Sequence, residues 1–260
     1  VKLLTGLLEP STGTAMVMGL VPWAQRRALA FRLGCVFGNM SQLLPYLTVQ
    51  ENFQLIGGMY DLNVGELSAR ISELSEQFSV ENLLGKRPPF LSFGERMKCE
   101  IVSALLHTPD ILFLDEPSVG LDITARIELR QTLRHRCAQS GTTVLLTSHD
   151  TGDIEGVCER ALVINHGAMI FDGPLEELRT RYITHREISI ICGDDSFSVA
   201  DGRIRVSQIT PMKYSAIFDP REISTNEAVS TVLASGSVLD VTIGEPPLEQ
   251  VIAKAFSGKR

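Results

Sequence analysis

The sequence has 260 residues, a length that suits one large domain with a small companion. Of these residues 44% are hydrophobic and 21% are charged, a composition that excludes disorder of the whole chain. Its 24 Lys and Arg against 31 Asp and Glu give a net charge of −7, which argues against a broad nucleic-acid-binding surface. No apolar run approaches the roughly 20 residues that span a bilayer, and the five cysteines lack metal-type spacing, so we expect a soluble chain with reduced thiols.

The first residues are interpreted as the end of a helix over residues 1–6, which Gly6 terminates. Val1 is not an initiator methionine, and no signal-peptide pattern follows it, so we expect the sequence to be truncated at its N-terminus. Short apolar runs then predict strands over residues 14–18 and 32–37.

Apolar residues recur at helical spacing from residue 49 to about residue 84, which predicts a helical insert. Pro88 and Pro89 interrupt it, because proline cannot continue a helix. Another helix begins at Ser92, and the whole predicted helical subdomain spans about residues 49–108.

A βαβ unit is predicted next, with an apolar strand at residues 111–114, a helix at 124–138 and a second strand at 144–149. We expect both strands to be buried on both faces. Ligands of such sheets bind beyond the carboxyl ends of the strands. Asp115, Glu116 and His149 occupy such ends, so they are candidates for one site.

The remaining pattern predicts a strand at 161–165, a hairpin at 167–173 and a helix at 174–182, which complete a domain over residues 1–183. Residues 184–260 are predicted to form a small α+β C-terminal appendage. Its predicted strands lie at 188–191, 197–199, 204–206, 214–218 and 238–243, and its helices at 225–234 and 247–256.

The candidate motifs each allow two interpretations on their own. Ser92 and Glu95 form the S-x-x-E pattern of a helix capping box, yet a helix N-terminus with Gly94 beside it also suits a phosphate. Asp115 and Glu116 could simply end a strand, or could hold a hydrated Mg²⁺ and accept a proton from the water that attacks a γ-phosphate. His149 is either an ordinary loop residue or an imidazole that orients that water.

In this order and spacing, the motifs resemble those of the nucleotide-binding subunit of an ATP-binding-cassette (ABC) transporter. The resemblance identifies residues 91–95 as the signature motif, 111–116 as the Walker B segment, 118–122 as the D-loop and His149 as the switch histidine. Residues 32–53 are similar to the Q-loop region of ABC-2-type exporter ATPases. The resemblance implies an α/β fold, namely an ABC-type P-loop NTPase core with a mostly parallel sheet and a helical subdomain.

The resemblance also implies roles for single residues around bound ATP and Mg²⁺. Glu116 would be the general base, and His149 would contact the γ-phosphate. The metal site would comprise Asp115 and Asn39, which stands where the family has the Q-loop glutamine; Gln42 is the alternative. The cofactor-binding residues would be Ser92, Gly94, Glu95 and Asp122, of which Ser92 and Gly94 would close on ATP held by a second subunit.

The implied function is an ATPase subunit that couples ATP binding and hydrolysis to transport, with export favoured. Its implied partners are an ABC-2-type membrane permease subunit and a second nucleotide-binding subunit, identical or different, with no nucleic acid. The expected location is cytoplasmic, on the inner face of the cell membrane. A soluble ABC protein that acts on ribosomes or DNA is disfavoured, because the sequence has neither tandem cassettes nor a long coiled-coil insert.

One motif of the family is missing from these residues. No G-x-x-x-x-G-K-S/T occurs, because Gly85-Lys86 and Gly258-Lys259 are each followed by Arg. The amides and lysine of such a loop bind nucleotide phosphates. We therefore expect the first strands and the P-loop to be missing and the chain to be inactive alone. The alternative is a non-hydrolysing partner that lends only its signature helix to another ATPase subunit.

Overall fold

The computed structural model of the protein describes residues 1–38, 40–182, 185–193, 196–244 and 247–257. The helices are α1 (Arg26–Ala30), α2 (Val49–Met59), α3 (Val64–Gln77), α4 (Phe93–Leu105), α5 (Ile123–Ser140), α6 (Thr151–Val157), α7 (Leu175–Tyr182), α8 (Thr225–Ala234) and α9 (Leu248–Ser257). The strands are β1 (Leu33–Phe37), β2 (Ile111–Asp115), β3 (Thr143–Thr147), β4 (Arg160–Asn165), β5 (Ala168–Pro174), β6 (Arg186–Cys192), β7 (Ile204–Thr210), β8 (Lys213–Phe218) and β9 (Val238–Gly244).

The described residues fall into two compact units, residues 1–158 and 159–260. This division lies earlier than the predicted boundary after residue 183, because the hairpin β4–β5 and helix α7 group with the C-terminal elements. The predicted boundary refers to domains in the family's sense and remains a prediction.

A three-stranded parallel sheet in the order β1-β2-β3 forms the centre of the first unit, as the βαβ pattern predicts. Its middle strand is buried, with residues 112–114 no more than 2% exposed. The prediction that both strands are buried on both faces is wrong for β3, which is at best half-buried. Within the described sheet β3 pairs on one side only, so its other side lacks a covering strand.

Side-chain caps mark where helices α2 to α6 of the first unit begin. Thr48 and Glu51 form a reciprocal capping box at α2, and Ser92 and Glu95 form another at α4. Such boxes satisfy backbone N–H groups that have no partner inside the helix. The apolar faces of α2, α3 and α4 then pack into one core with the central sheet; its fully buried members include Phe53, Phe78, Ile101, Leu105 and Leu112.

Three predictions near the ends of elements in the first unit are wrong. Residues 14–18 form no strand; Val17 makes a single antiparallel bridge to Leu20 around a tight turn. Residues 1–6 form hydrogen-bonded turns instead of a regular helix. Strand β3 ends at Thr147, so His149 lies beyond the strand and not at its last position. In addition, the sequence pattern did not predict the short helices α1 and α6.

The second unit contains an antiparallel hairpin, β4–β5, and a four-stranded antiparallel sheet in the order β7-β8-β6-β9. Buried residues of β6 and β8, including Ile188, Ile190 and Phe218, form a core with Ala228 and Val232 of α8. The predicted strand at residues 197–199 is wrong, since these residues are irregular, although Phe197 packs into this core. No helix among the described residues is both long and apolar enough to cross a membrane.

Candidate functional site

The candidate site lies at the edge of the parallel sheet where three strands end together. The register places Phe37 beside Asp115 and Asp115 beside Thr147. The pairing continues past the strand ends, because the Gly38 N–H donates to the Asp115 carbonyl at 2.9 Å and the Glu116 N–H donates to the Thr147 carbonyl at 3.0 Å. The carboxyl ends of β1, β2 and β3 therefore lie side by side, as the sequence predicts for β2 and β3.

Gly38 allows the loop after β1 to pass close to this edge. A Cβ added at Gly38 would lie 2.6 Å from the Glu116 carbonyl oxygen and 3.0 Å from that of Asp115. Contacts this short with backbone atoms would force the two segments apart. The residue after β1 must therefore lack a side chain if the loop is to stay against the Asp115–Glu116 segment.

Asp115 is held by a threonine that the sequence interpretation missed. The Thr147 hydroxyl donates to Asp115 Oδ1 at 2.7 Å and accepts the Glu116 N–H at 3.2 Å. Asp115 Oδ2 accepts no hydrogen bond from any residue that the structure describes. A half-buried carboxylate oxygen at a sheet edge is a hard donor of the kind that Mg²⁺ takes, alongside water and phosphate oxygens. The donor chemistry therefore fits the expected metal.

Glu116 adopts a backbone conformation that is uncommon for a residue with a side chain, with φ of 54°. Such positive φ values cost free energy and are concentrated at functional sites. The Glu116 carboxylate is 27% exposed and lies beside His149. The backbone N–H of His149 donates to Glu116 Oε2 at 3.3 Å, and the ring atom His149 Nε2 lies 3.3 Å from Glu116 Oε1. The imidazole itself is 96% exposed and so faces outward from the edge.

The sheet edge therefore combines three chemical groups: the Asp115 carboxylate, which Thr147 links to the Glu116 backbone, and the Glu116 carboxylate, which contacts His149. A carboxylate at Asp115 can bind a cation, a carboxylate at Glu116 can accept a proton, and an exposed imidazole can donate or accept a hydrogen bond. This combination suits activation of a water molecule for attack on a phosphoryl group.

The start of α4 has the geometry of a capping box. The Ser92 N–H donates to Glu95 Oε2 at 2.7 Å, and the Glu95 N–H donates to Ser92 Oγ at 3.2 Å. The hydrogen bond from the Ser92 backbone N–H holds the pKa of Glu95 below its ordinary value. The capping interpretation is confirmed, and the phosphate-binding interpretation of Ser92, Gly94 and Glu95 remains a prediction.

The signature motif packs against the D-loop of the same chain. A Cβ added at Gly94 would lie 3.3 Å from the Ala125 Cβ and 3.5 Å from Leu121 Cδ2. Asp122 accepts the Ala125 N–H at 2.9 Å and caps α5. This contact joins the signature helix α4 to the loop that continues from Glu116. The predicted ATP contact of Asp122 remains a prediction.

Of the two Q-loop candidates, Asn39 lies outside the described residues. Gln42 lies in the loop after β1, and its side-chain amide donates to the Cys35 carbonyl at 2.5 Å. Its backbone N–H donates to both carboxylate oxygens of Glu100, each at 3.1 Å. The Ser41 hydroxyl also donates to Glu100, which is 5% exposed. The signature helix therefore holds the loop that follows β1, a link that the sequence interpretation missed.

Glu100 provides a test of this link through the pH dependence of stability. Burial raises the pKa of Glu100, although the hydrogen bonds from Ser41, Gln42 and Leu43 oppose this effect. Because the pKa of Glu100 is higher in the folded than in the unfolded state, its ionisation favours unfolding. The contribution of protonated Glu100 to the free energy of unfolding is therefore present at acidic pH and is lost as the pH rises through the folded-state pKa. Between the unfolded and the folded pKa of Glu100, the free energy of unfolding should therefore fall relative to Glu100→Gln by about 1.4 kcal/mol for each pH unit.

The measurement is denaturant unfolding from pH 4 upward, followed by the fluorescence of Trp23, the single tryptophan of the chain. Glu100→Gln is the matched control because it has nearly the same shape and does not titrate. A wild-type chain that gains stability relative to this variant as pH rises would contradict the raised pKa.

Comparison with known proteins places the chain in a family. The sequence profile of a family described as "ABC transporter" matches residues 1–119. The ABC transporter ATP-binding protein NatA of Bacillus subtilis is 35% identical over 177 residues, which cover 68% of this chain and 72% of NatA. The Nod factor export ATP-binding protein I of Cupriavidus metallidurans is 30% identical over 220 residues, covering 84% of this chain and 71% of that protein.

A solved structure of similar fold agrees with these relatives. It is described as the structure of an ATP-binding subunit of an ABC transporter, is 26% identical, and has a TM-score of 0.62 while covering 70% of this chain and 75% of its own. ABC ATPases bind and hydrolyse ATP, and their subunits work with membrane subunits of transporters. The chain belongs to the family of ATP-binding subunits of ABC transporters, of the exporter type.

Proposed function

We propose that this chain is the nucleotide-binding subunit of an exporter and that it couples ATP binding and hydrolysis to transport through a separate ABC-2-type membrane permease subunit. The cluster of Asp115, Glu116, Thr147 and His149 at one sheet edge carries the proposal. A subunit that only bound a partner would have no need for a proton acceptor beside a cation-binding carboxylate.

The proposed mechanism assigns one task to each group at the edge. Mg²⁺, when bound, would neutralise charge on the β- and γ-phosphates. Asp115 would hold that ion through water, while Thr147 fixes one of its carboxylate oxygens. Glu116 would accept a proton from the attacking water, and His149 would hydrogen-bond the γ-phosphate from its exposed position. Thr147 is a positioning residue, because it acts through Asp115 and the Glu116 backbone.

The signature helix is proposed to act on ATP that a second nucleotide-binding subunit holds. Three features at the start of α4 support this proposal: the backbone N–H groups of its first turn, the hydroxyl of Ser92 and the small Gly94. The second subunit would be either another copy or a related chain. The assembly would lie at the inner face of the cell membrane, held there by the permease.

The alternative is a non-hydrolysing subunit that contributes only its signature helix. One observation favours it: these 260 residues contain no G-x-x-x-x-G-K-S/T. The amides of that loop supply most of the oriented donors for the β- and γ-phosphates. The two proposals therefore differ in whether a chain with such a loop ahead of Val1 hydrolyses ATP.

The 260-residue chain alone should bind Mg-ATP more weakly than about 100 μM, because the phosphates would lack their main donors. Titration calorimetry with Mg-ATP is the measurement. The control is the same titration with a version that carries a P-loop ahead of Val1, for which we expect binding at least about tenfold tighter. Micromolar binding by the 260-residue chain would contradict the prediction.

A further inference from the structure

Asp153 on the first turn of α6 is a buried carboxylate, only 2% exposed. Burying a charge is costly unless hydrogen bonds and opposite charge replace water. Here both oxygens are satisfied. Oδ2 accepts hydrogen bonds from the hydroxyls of Ser118 and Ser148, the latter at 2.7 Å, and Oδ1 accepts one from Arg130 Nε at 2.6 Å.

The two serines belong to different loops of the candidate site. Ser118 opens the D-loop (residues 118–122) and follows Glu116 closely in the chain. Ser148 immediately precedes His149 in the segment that we call the switch loop (residues 148–150). One oxygen of Asp153 is therefore the common acceptor of two loops that are far apart in the sequence.

A second set of contacts joins the same loops through helix α5. Arg126 and Arg130 both pair with Asp150 of the switch loop, Arg130 at 3.1 Å. Arg126 Nη2 also donates to the carbonyl of Leu121 in the D-loop at 3.3 Å. The two arginines therefore hold the switch loop while Arg126 also holds the end of the D-loop.

The carboxylate of Asp153 remains charged in this setting. Burial by itself would raise its pKa, but the hydrogen bonds from Ser118, Ser148 and Arg130 outweigh burial and hold the pKa below its ordinary value. Hydrogen bonds to a charged group are stronger than those between neutral groups. The Asp153 connection is therefore a strong one at neutral pH.

We propose that Asp153 is a positioning residue that makes the D-loop and the switch loop move together, so that a displacement of either loop is transmitted to the other. The proposal deepens the proposed function and rests on it for its consequence. A second subunit that contacts the D-loop would, through Ser118 and Asp153, shift His149 relative to Glu116. The composite site would then become competent only when both subunits are in place.

A purely structural role for Asp153 predicts something different. Removing one hydroxyl would then loosen the loop that carries it, or lower the stability of the whole unit. Coupling between two sites is reciprocal, so each loop should respond to a change in the other. Cross-loop response in both directions is therefore the distinguishing measurement.

The experiment uses amide hydrogen exchange by NMR on the nucleotide-free chain. In Ser118→Ala we expect the amides of Asp150 and Gly152 to exchange at least about threefold faster, although the substitution lies in the other loop. These two amides donate to Ser148 Oγ at 3.0 Å and to Asp150 Oδ1 at 2.8 Å, so they report the order of the switch loop. The amide of Phe113 in the central strand is the reference for global unfolding.

The reverse experiment uses Ser148→Ala. We expect faster exchange at the D-loop amides of Val119 and Leu121, which donate to the carbonyls of Glu116 and Ser118. In an Asp153→Ala background, which removes the shared acceptor, the serine substitutions should affect the opposite loop much less, since only the link through Arg126 remains between the two loops.

Ser75→Ala is the matched control, because Ser75 is fully buried in the same unit and its hydroxyl has no partner among the described residues. It should leave both loops unchanged. Ser118→Thr keeps the hydroxyl and should retain wild-type exchange in the switch loop.

Exchange that rises only in the loop carrying the substitution would overturn the proposal. So would equal changes in Ser75→Ala, or a cross-loop effect that is as large without Asp153 as with it. No nucleotide is present, so these outcomes test the connection independently of whether the chain serves an ATPase.

Discussion

Glu116→Gln should leave ATP binding intact and reduce steady-state ATP hydrolysis by about 10²–10⁴-fold, the usual contribution of a general base. Glutamine keeps the shape of the side chain, and its carbonyl oxygen can still accept the His149 N–H that reaches Glu116 at 3.3 Å. It cannot take a proton from water. The experiment uses the version of the subunit that carries a P-loop ahead of Val1, with phosphate release measured at saturating Mg-ATP.

Glu128→Gln is the control for this prediction. Glu128 lies on α5 with a half-exposed side chain that pairs with Lys98 at 2.6 Å. Exposed ion pairs contribute little to stability, so turnover should stay within about twofold of the wild type. ATP binding by both variants is measured by calorimetry. Unchanged turnover in Glu116→Gln would remove Glu116 from the catalytic role.

The residues of the sheet edge could be predicted because their signals are local. An apolar run that ends in Asp115 and Glu116 sets where β2 stops, and the parallel pairing of a βαβ unit brings its neighbour's end alongside. The start of α4 could be predicted in the same way, since the hydrogen bonds between Ser92 and Glu95 lie within one helical turn. The family resemblance then supplied the roles, which spacing alone had left open.

Two local patterns misled the sequence reasoning, one over residues 14–18 and one at α6. Residues 14–18 have a strand-like composition but pair only at Val17, because a strand needs a neighbour as well as a pattern. Helix α6 is short and is marked mainly by its cap, since Asp150 accepts the Gly152 N–H.

The supporting side chains of the site were missed because their partners lie far away in the sequence. Thr147 and Asp153 reach Asp115 and Ser118 across more than thirty residues of sequence. Glu100 holds the loop after β1 from the middle of a helix whose pattern shows only an apolar face. These contacts follow from the tertiary arrangement of the loops, which no local pattern encodes.

The signature helix should act on the ATP of the opposite subunit, and mixed dimers of the P-loop-bearing version can show this. Ser92→Arg places a bulky side chain at the start of α4 and should block its approach to a phosphate, while Glu116→Gln removes the proton acceptor. Each change alone, present in both subunits, should reduce hydrolysis by about 10²-fold or more. The informative comparison is between two mixed dimers. In the same-subunit dimer one subunit carries both changes, and in the split dimer each subunit carries one change.

If the helix acts in trans, both changes on one subunit put one defect in each of the two composite sites. Splitting the changes between subunits concentrates both defects in one site and leaves the other intact. The split dimer should therefore keep up to about half of the wild-type hydrolysis when one intact site turns over alone, and the same-subunit dimer should keep a few per cent or less. Hydrolysis is measured on separately tagged and purified dimers, with the wild-type subunit paired with the double variant as the same-subunit arrangement. Equal hydrolysis by the two arrangements would contradict the trans assignment. More hydrolysis by the same-subunit dimer would place Ser92 and Gly94 on their own chain's nucleotide, because a site built within one subunit keeps both defects together there.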